Sequence, residues 1–535
     1  MLRTDAAARV IKDLWTSSAR SGERLWAVAP EVITKSDPRG RFRQWLAQPV
    51  DALPLDVFRI LIGLISLAYF VRTLRESPIY SNPDGLIDHS LSLSIFQITK
   101  MGLFHPGISL FALQSIFVLA CLGSLALIAG YHVRVCAAVL YAIVVSTYRW
   151  NYPVMYIDDG IMHLMLFWLM LLPVGRTLVL SEWWSQRTKV WRRWKTATVP
   201  GTAARCFLWN VTLIYVVAGL WKWTSPMWRN GTALYAVLKL PIAWTPDFWG
   251  PQHMPALRVL NYAALLLETI FPLIFLLPKG SRAKYALLVA LIGFHSGMIA
   301  TLQIPFANFA CIAAAVVLFG PELMSWLGSK PRSAQPLPGT TAIGSSGVIA
   351  ISFVVVLTLA MLSSITLPQW RTPVRLKTAV VSDDASPEGL LPLQKAFFAP
   401  LWIAGLAQQY QLFNWIDERN YTIRYDAFDG ARKIDPARIF IPTTRGTLLQ
   451  AYVQGISWMP ISVRENRQLR ESIYIRSARR YCRDSAGPGN ITVYSTLSRF
   501  DPADPRRIVE HNRSMLMQFQ CRDGQPLMQA MNLNP

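Results

Sequence analysis

The strongest constraint on this chain is the recurrence of apolar runs long enough to cross a lipid bilayer. A hydrocarbon core of ~30 Å takes about 20 apolar residues as helix. By that measure nine spans are expected, over 54–74, 109–130, 133–149, 156–174, 204–223, 256–278, 284–304, 306–320 and 344–366. The eighth is short, and Pro305 before it suits a tight reversal from the seventh. Hydrophobic residues make up 52% of the 535, and charged residues only 16%, which excludes an ordinary soluble domain.

The net charge of +22 would suggest nucleic acid in a soluble protein. Here the basic residues fall largely between the apolar runs, where they set orientation in a bilayer. The leader carries Arg3, Arg9, Lys12, Arg20, Arg24, Lys35, Arg39, Arg41 and Arg43. The loop after the fourth span adds Arg187, Lys189, Arg192, Arg193 and Lys195. Lys279 and Arg282, then Lys330 and Arg332, follow the sixth and eighth spans. With nine spans all of these lie on one side. The N-terminus is then cytoplasmic and the C-terminal region extracytoplasmic, as in a bacterial inner-membrane protein. No cleavable signal is visible in the polar first fifty residues.

The expected organisation is a basic leader (1–52), a transmembrane bundle (53–327), a Pro/Gly/Ser linker (328–345), a last span (346–366) and a polar domain (367–535). The fold class is therefore a polytopic α-helical membrane protein of about nine transmembrane helices, followed by an extracytoplasmic α+β or β-rich domain. In that domain, Tyr421–Phe428 alternates and ends at Asp429-Gly430, a turn signal. The runs from Asn490 and from Ser514 also read as strands. Glu465–Cys482 reads as a helix with Leu469, Ile473 and Tyr481 near one face. Four of the six cysteines lie in apolar helices and suit plain packing. Cys482 and Cys521 are left in the polar domain, where an oxidising compartment would let them pair. No zinc-ligand spacing is present.

Ionisable groups inside apolar helices need a partner or a task. At 1.5 Å per residue, Glu268 lies ~18 Å into the sixth span and His295 ~16 Å into the seventh. Similar depth suggests that the two meet, either as a structural lock or within a ligand cavity. Lys222 closes the fifth span, with Ala218 and Gly219 beside it on a small-residue face. It is either a lysine reaching for headgroups or a working base. Asp158 and Asp159 open the fourth span at the same level and are candidate counter-charges. Trp150, Asn151, Trp221, Trp223 and Trp228 gather there too, as an interfacial belt or as the walls of an aromatic-ligand site.

Four segments in order carry a family resemblance. Pro49–Leu64 (PVDALPLDVFRILIGL, with Arg59) resembles the opening of the HTTM, or horizontally transferred transmembrane domain, family. Ile214–Leu234 (IYVVAGLWKWTSPMWRNGTAL) resembles its central signature. LLLETIFPLIFLLP and FHSGMIATLQIPFANFACIAAAVVLFGPE resemble its last segment. The likeness covers roughly residues 45–320 and continues loosely to about 430.

That family is similar to the membrane part of vitamin K-dependent γ-glutamyl carboxylase. The resemblance implies a reduced, vitamin K-like quinone as cofactor; the lack of metal-ligand spacing leads to no metal being expected. It gives Lys222 the role of deprotonating the quinone, and matches His295 and Glu268 to catalytic positions. Where the carboxylase reads WNNH this chain reads WNYP, Trp150–Pro153, so its histidine has no counterpart. The implied function is quinone-linked chemistry on a peptide or small acid at the outer face. The alternatives are a non-enzymatic maturation or immunity factor for an exported peptide, and a transporter built on Glu268 and His295. No inverted repeat supports the transporter.

Overall fold

The structure is a computed structural model. It describes residues 38–94, 102–154, 157–180, 198–240, 242–326, 343–366, 392–406, 413, 416, 421–440, 464–484, 489–501 and 503–533. Most of the basic leader, the basic loop at 181–197 and most of the linker lie outside the described residues.

The helical part contains α1 (Ala52–Tyr80), α2 (Leu110–Ala129), α3 (Val133–Trp150), α4 (Ile157–Leu171), α5 (Thr202–Thr224), α6 (Met254–Ile270), α7 (Arg282–Thr301), α8 (Pro305–Leu318) and α9 (Ser345–Thr366). Among the described residues, seven helices are long and apolar enough to cross a membrane. The apolar stretches in α4 and α8 are shorter. Seven of the nine expected spans are matched by helices of that length; the other two fall on shorter apolar helices. Phe111, Leu119, Leu122, Val259 and Val289 are exposed on the outer faces of these helices, which suits a lipid surround and not water.

Helix ends follow local chemistry. Asp51 caps α1 by accepting from Leu53 N at 3.0 Å, and Ser109 caps α2 from Ala112 N at 3.2 Å. Gly130 ends α2 at φ 80°, a left-handed closure that favours glycine. α6 gives way to a 3-10 turn at Phe271–Phe275, where Pro272 removes a backbone donor. α1 runs past the expected limit at 74 because packing covers the polar residues of its last turns; Thr73, Glu76 and Ser77 are buried.

A buried clamp fixes the first helix to its neighbours. Asp56 accepts from the backbone N–H groups of Gly175, Arg176, Thr177 and Leu178 and from the Thr177 hydroxyl. One turn on, Arg59 donates to the carbonyls of Leu127, Ile128 and Leu178. The end of α2 and the loop after α4 are thus tied to the start of α1.

The C-terminal region is an antiparallel sheet with one long helix. The strands are β1 (Tyr421–Asp429), β2 (Arg432–Ile434), β3 (Asn490–Phe500), β4 (Ile508–Arg522) and β5 (Gln525–Met531), in the order β2-β1-β3-β4-β5. Asp523 and Gly524, both at positive φ, make the tight turn between β4 and β5. Helix α10 (Arg464–Asp484) buries Leu469, Ile473, Tyr474 and Tyr481 with Ile491, Val493, Met517 and Phe519 of the sheet. Cys482 and Cys521 form a disulfide, their Cα atoms 5.2 Å apart, joining α10 to β4.

This domain packs on the helical part. Tyr80, Leu86, Ile87, Tyr152 and Val154 enter its core. Arg476 of α10 donates to the carbonyls of Pro83 and Gly85 and pairs with Asp88 at 3.3 Å.

Candidate functional site

Lys222 is 2% exposed. Its Nζ donates to both carboxylate oxygens of Glu268, each at 2.5 Å, and Glu268 is buried as well. The Trp228 ring lies over the ammonium at 5.0 Å from its centroid. A lysine reaching for headgroups would be exposed, so that reading fails.

The reason is the chain that follows α5. Short helices at Pro226–Arg229 and Ala233–Lys239 fold over the end of the bundle. Met227, Trp228, Ala233, Tyr235 and Ala236 bury themselves there with Leu257, Leu302 and Ile304. Ser225 caps the first of these helices from Trp228 N at 3.2 Å. Lys222 therefore lies beneath a protein roof and not at a water-filled mouth.

Gly219 makes the pair possible. A methyl group added at Gly219 would lie 3.2 Å from Glu268 Cβ and 3.1 Å from Thr269 N. The backbone of α6 thus rides directly on α5, one turn before Lys222.

Glu268 does not bond His295. Similar depth brought the two together in the sequence reading, but depth does not fix which way a side chain faces. The His295 ring is held from both sides instead: Nε2 meets the Tyr215 hydroxyl at 2.5 Å, and Nδ1 meets Asn308 Oδ1 at 2.8 Å. Asn308 in turn donates to Ile304 O at 2.6 Å. Tyr215 and Lys222 lie seven residues apart on α5, so the Tyr215–His295–Asn308 chain adjoins the ion pair along one helix. Asn308 escaped the sequence reading; an amide inside an apolar helix was its only signal.

The remaining expected residues separate. Lys222 pairs with Glu268 and not with Asp159. Asp159 instead accepts from the Tyr69 hydroxyl, and Asp158 has a side chain outside the described set. Trp150 is fully buried and stacks on His89 at 3.8 Å between centroids, with Nε1 donating to Ser81 O. It packs the junction with the C-terminal domain. Asn151 donates to Ser81 Oγ at 3.0 Å. Trp223 is 46% exposed, and its Nε1 donates to Thr269 Oγ1 at 2.9 Å on the outer side of α6. Trp228 Nε1 donates to Phe413 O. Trp221 is buried, and its Nε1 has no hydrogen-bond partner among the described residues. Of the expected set, Lys222, Glu268 and Trp228 thus form one centre, with His295 next to it. Trp150, Asn151 and Asp159 belong elsewhere.

No protein-family model, curated protein or solved structure matches the chain.

Proposed function

We propose that this protein is a membrane enzyme of the HTTM type, in which Lys222 acts as a base toward a reduced quinone at the extracytoplasmic side. The observation that carries the reading is the buried Lys222–Glu268 pair under the Trp228 ring. Two buried charges bring a desolvation cost that a purely apolar contact would avoid. Such pairs mark functional positions in membrane helices.

The residues present fit a flat ring bearing oxygen groups. Trp228 supplies an aromatic face beside the Lys222 ammonium. When bound, a reduced quinone would supply an acidic ring hydroxyl. Glu268 holds Lys222 in place and takes one ammonium proton, leaving a neutral amine. The Lys222 amine then accepts a proton from the hydroxyl. The roof formed by Pro226–Lys239 keeps bulk water from both groups. The acceptor of the later chemistry is a peptide or small acid in this reading.

The same reading takes α4 and α8 as short crossings, which brings the total to nine. The N-terminus is then cytoplasmic and the C-terminal domain extracytoplasmic.

The test is quinol consumption by purified protein in proteoliposomes, comparing wild type with Lys222→Arg and Lys222→Ala. Both variants should lose activity, because a guanidinium stays protonated. Wild-type turnover in Lys222→Arg would remove the base from the scheme.

A further inference from the structure

A second polar site lies away from Lys222, where α1 and α3 end and α4 begins. It is a cavity of about 30 Å³ lined by Tyr69, Arg72, Glu76, Ser81, Asn151 and Asp159, among others. That is room for about two water-sized bodies. Two acceptors there are buried with no hydrogen-bond partner among the described residues: Glu76 Oε2 and Asn151 Oδ1. Glu76 is 7% exposed and Asn151 6%. Two nearby donors are engaged elsewhere: the Tyr69 hydroxyl goes to Asp159, and Asn151 Nδ2 to Ser81 Oγ.

The backbone adds to this bias. Ser81 is the C-cap of α1 and Asn151 the C-cap of α3, so two negative helix ends converge on the cavity. α4 starts there with its positive end, and Asp159 in its first turn offsets that end. The lining holds two carboxylates and one guanidinium. The guanidinium of Arg72 is stacked 4.5 Å over the Phe306 ring.

We infer that this cavity binds a small monovalent cation, sodium by the hard carboxylate and amide oxygens it offers, through the Glu76 carboxylate and the Asn151 amide oxygen. A bare cation satisfies buried carboxylate and amide acceptors of this kind. Negative helix ends holding such ions inside membrane bundles are an established use of the same electrostatics. The site is independent of the Lys222 reading. Its position beneath Tyr80 and Val154, which enter the C-terminal domain's core, makes the bound ion a fastener between the two parts.

The experiment is thermal unfolding of the purified full chain in detergent, titrated with sodium, potassium, ammonium or choline chloride at constant ionic strength. Sodium should raise the melting temperature in a saturable way, choline should not, and potassium and ammonium should need higher concentrations. Glu76→Gln should weaken the half-saturating sodium concentration at least tenfold. Asn151→Asp, which adds charge at the same shape, should tighten it. Should Glu76→Gln fail to fold, Asn151→Asp alone decides. Equal curves in sodium and choline for wild type would mean the cavity holds water only and would overturn the assignment. Preference for ammonium over sodium would overturn the identity of the ion.

Discussion

Lys222 Nζ sits 2.5 Å from each carboxylate oxygen of Glu268, 46 residues away in the chain and directly across the α5–α6 contact. Breaking a buried pair by removing one partner strands the other charge, at a cost of about 3–5 kcal/mol. Lys222→Met and Glu268→Leu should each lower stability by roughly that amount. The double variant should cost much less than the sum. Thermal unfolding of the four proteins in one detergent checks this; strict additivity would show the two residues to be uncoupled.

The disulfide between Cys482 and Cys521 closes a loop of 39 residues' separation. In the chain-entropy account, a loop of this size contributes about 4 kcal/mol. Cys482→Ser with Cys521→Ser should leave the helical part folded and make the sheet domain susceptible to protease. Mass spectrometry of the released fragments locates the cuts, which should fall after residue 420.

His89 is buried against Trp150, with Nδ1 facing Trp150 O and Nε2 facing Asn82 O. Burial pushes its pKa down to about 4, with Arg476 adding to that and the two carbonyls and Asp88 opposing. The unfolded chain therefore binds the extra proton first as pH falls. Stability should be full above about pH 6.5 and should fall between there and about pH 4, by up to roughly 3 kcal/mol. His89→Phe keeps a ring on Trp150 and should flatten the pH dependence in that window. An unchanged slope would assign the acid sensitivity to other groups.

Orientation has its own readout. Reporter fusions after Arg193 and after Pro373 should report opposite sides of the membrane, the first cytoplasmic. A shared side would reverse the assignment of the C-terminal domain.

Much of this architecture could be read from residues alone, for identifiable reasons. Strand β1 was legible because Tyr421–Phe428 alternates and stops at Asp429-Gly430, where the structure turns. The inward face of α10 was legible from the spacing of Leu469 and Ile473, both fully buried. Seven of the membrane helices were legible from length; α4 is shorter than its expected span, while α8 is short as expected. The partners of the ionisable groups were not. Depth along a helix follows from counting, but azimuth depends on how α5, α6, α7 and α8 pack, so Glu268 was matched to His295. The roof over Lys222 was missed for a different reason. The helices at Pro226–Arg229 and Ala233–Lys239 have 4 and 7 residues, too short to register in a search for bilayer-length runs.

The two short helices, α4 with 15 residues and α8 with 14, pack against each other. Each is ~22 Å long or less, well under a ~30 Å hydrocarbon core. Both are largely buried by the longer helices around them. Acyl chains therefore meet mainly the full-length helices, and the thin centre is shielded from the thickness of the surrounding bilayer. Changing lipid chain length should tilt or strain the periphery while the geometry around His295 and Asn308, which α8 helps to set, stays constant.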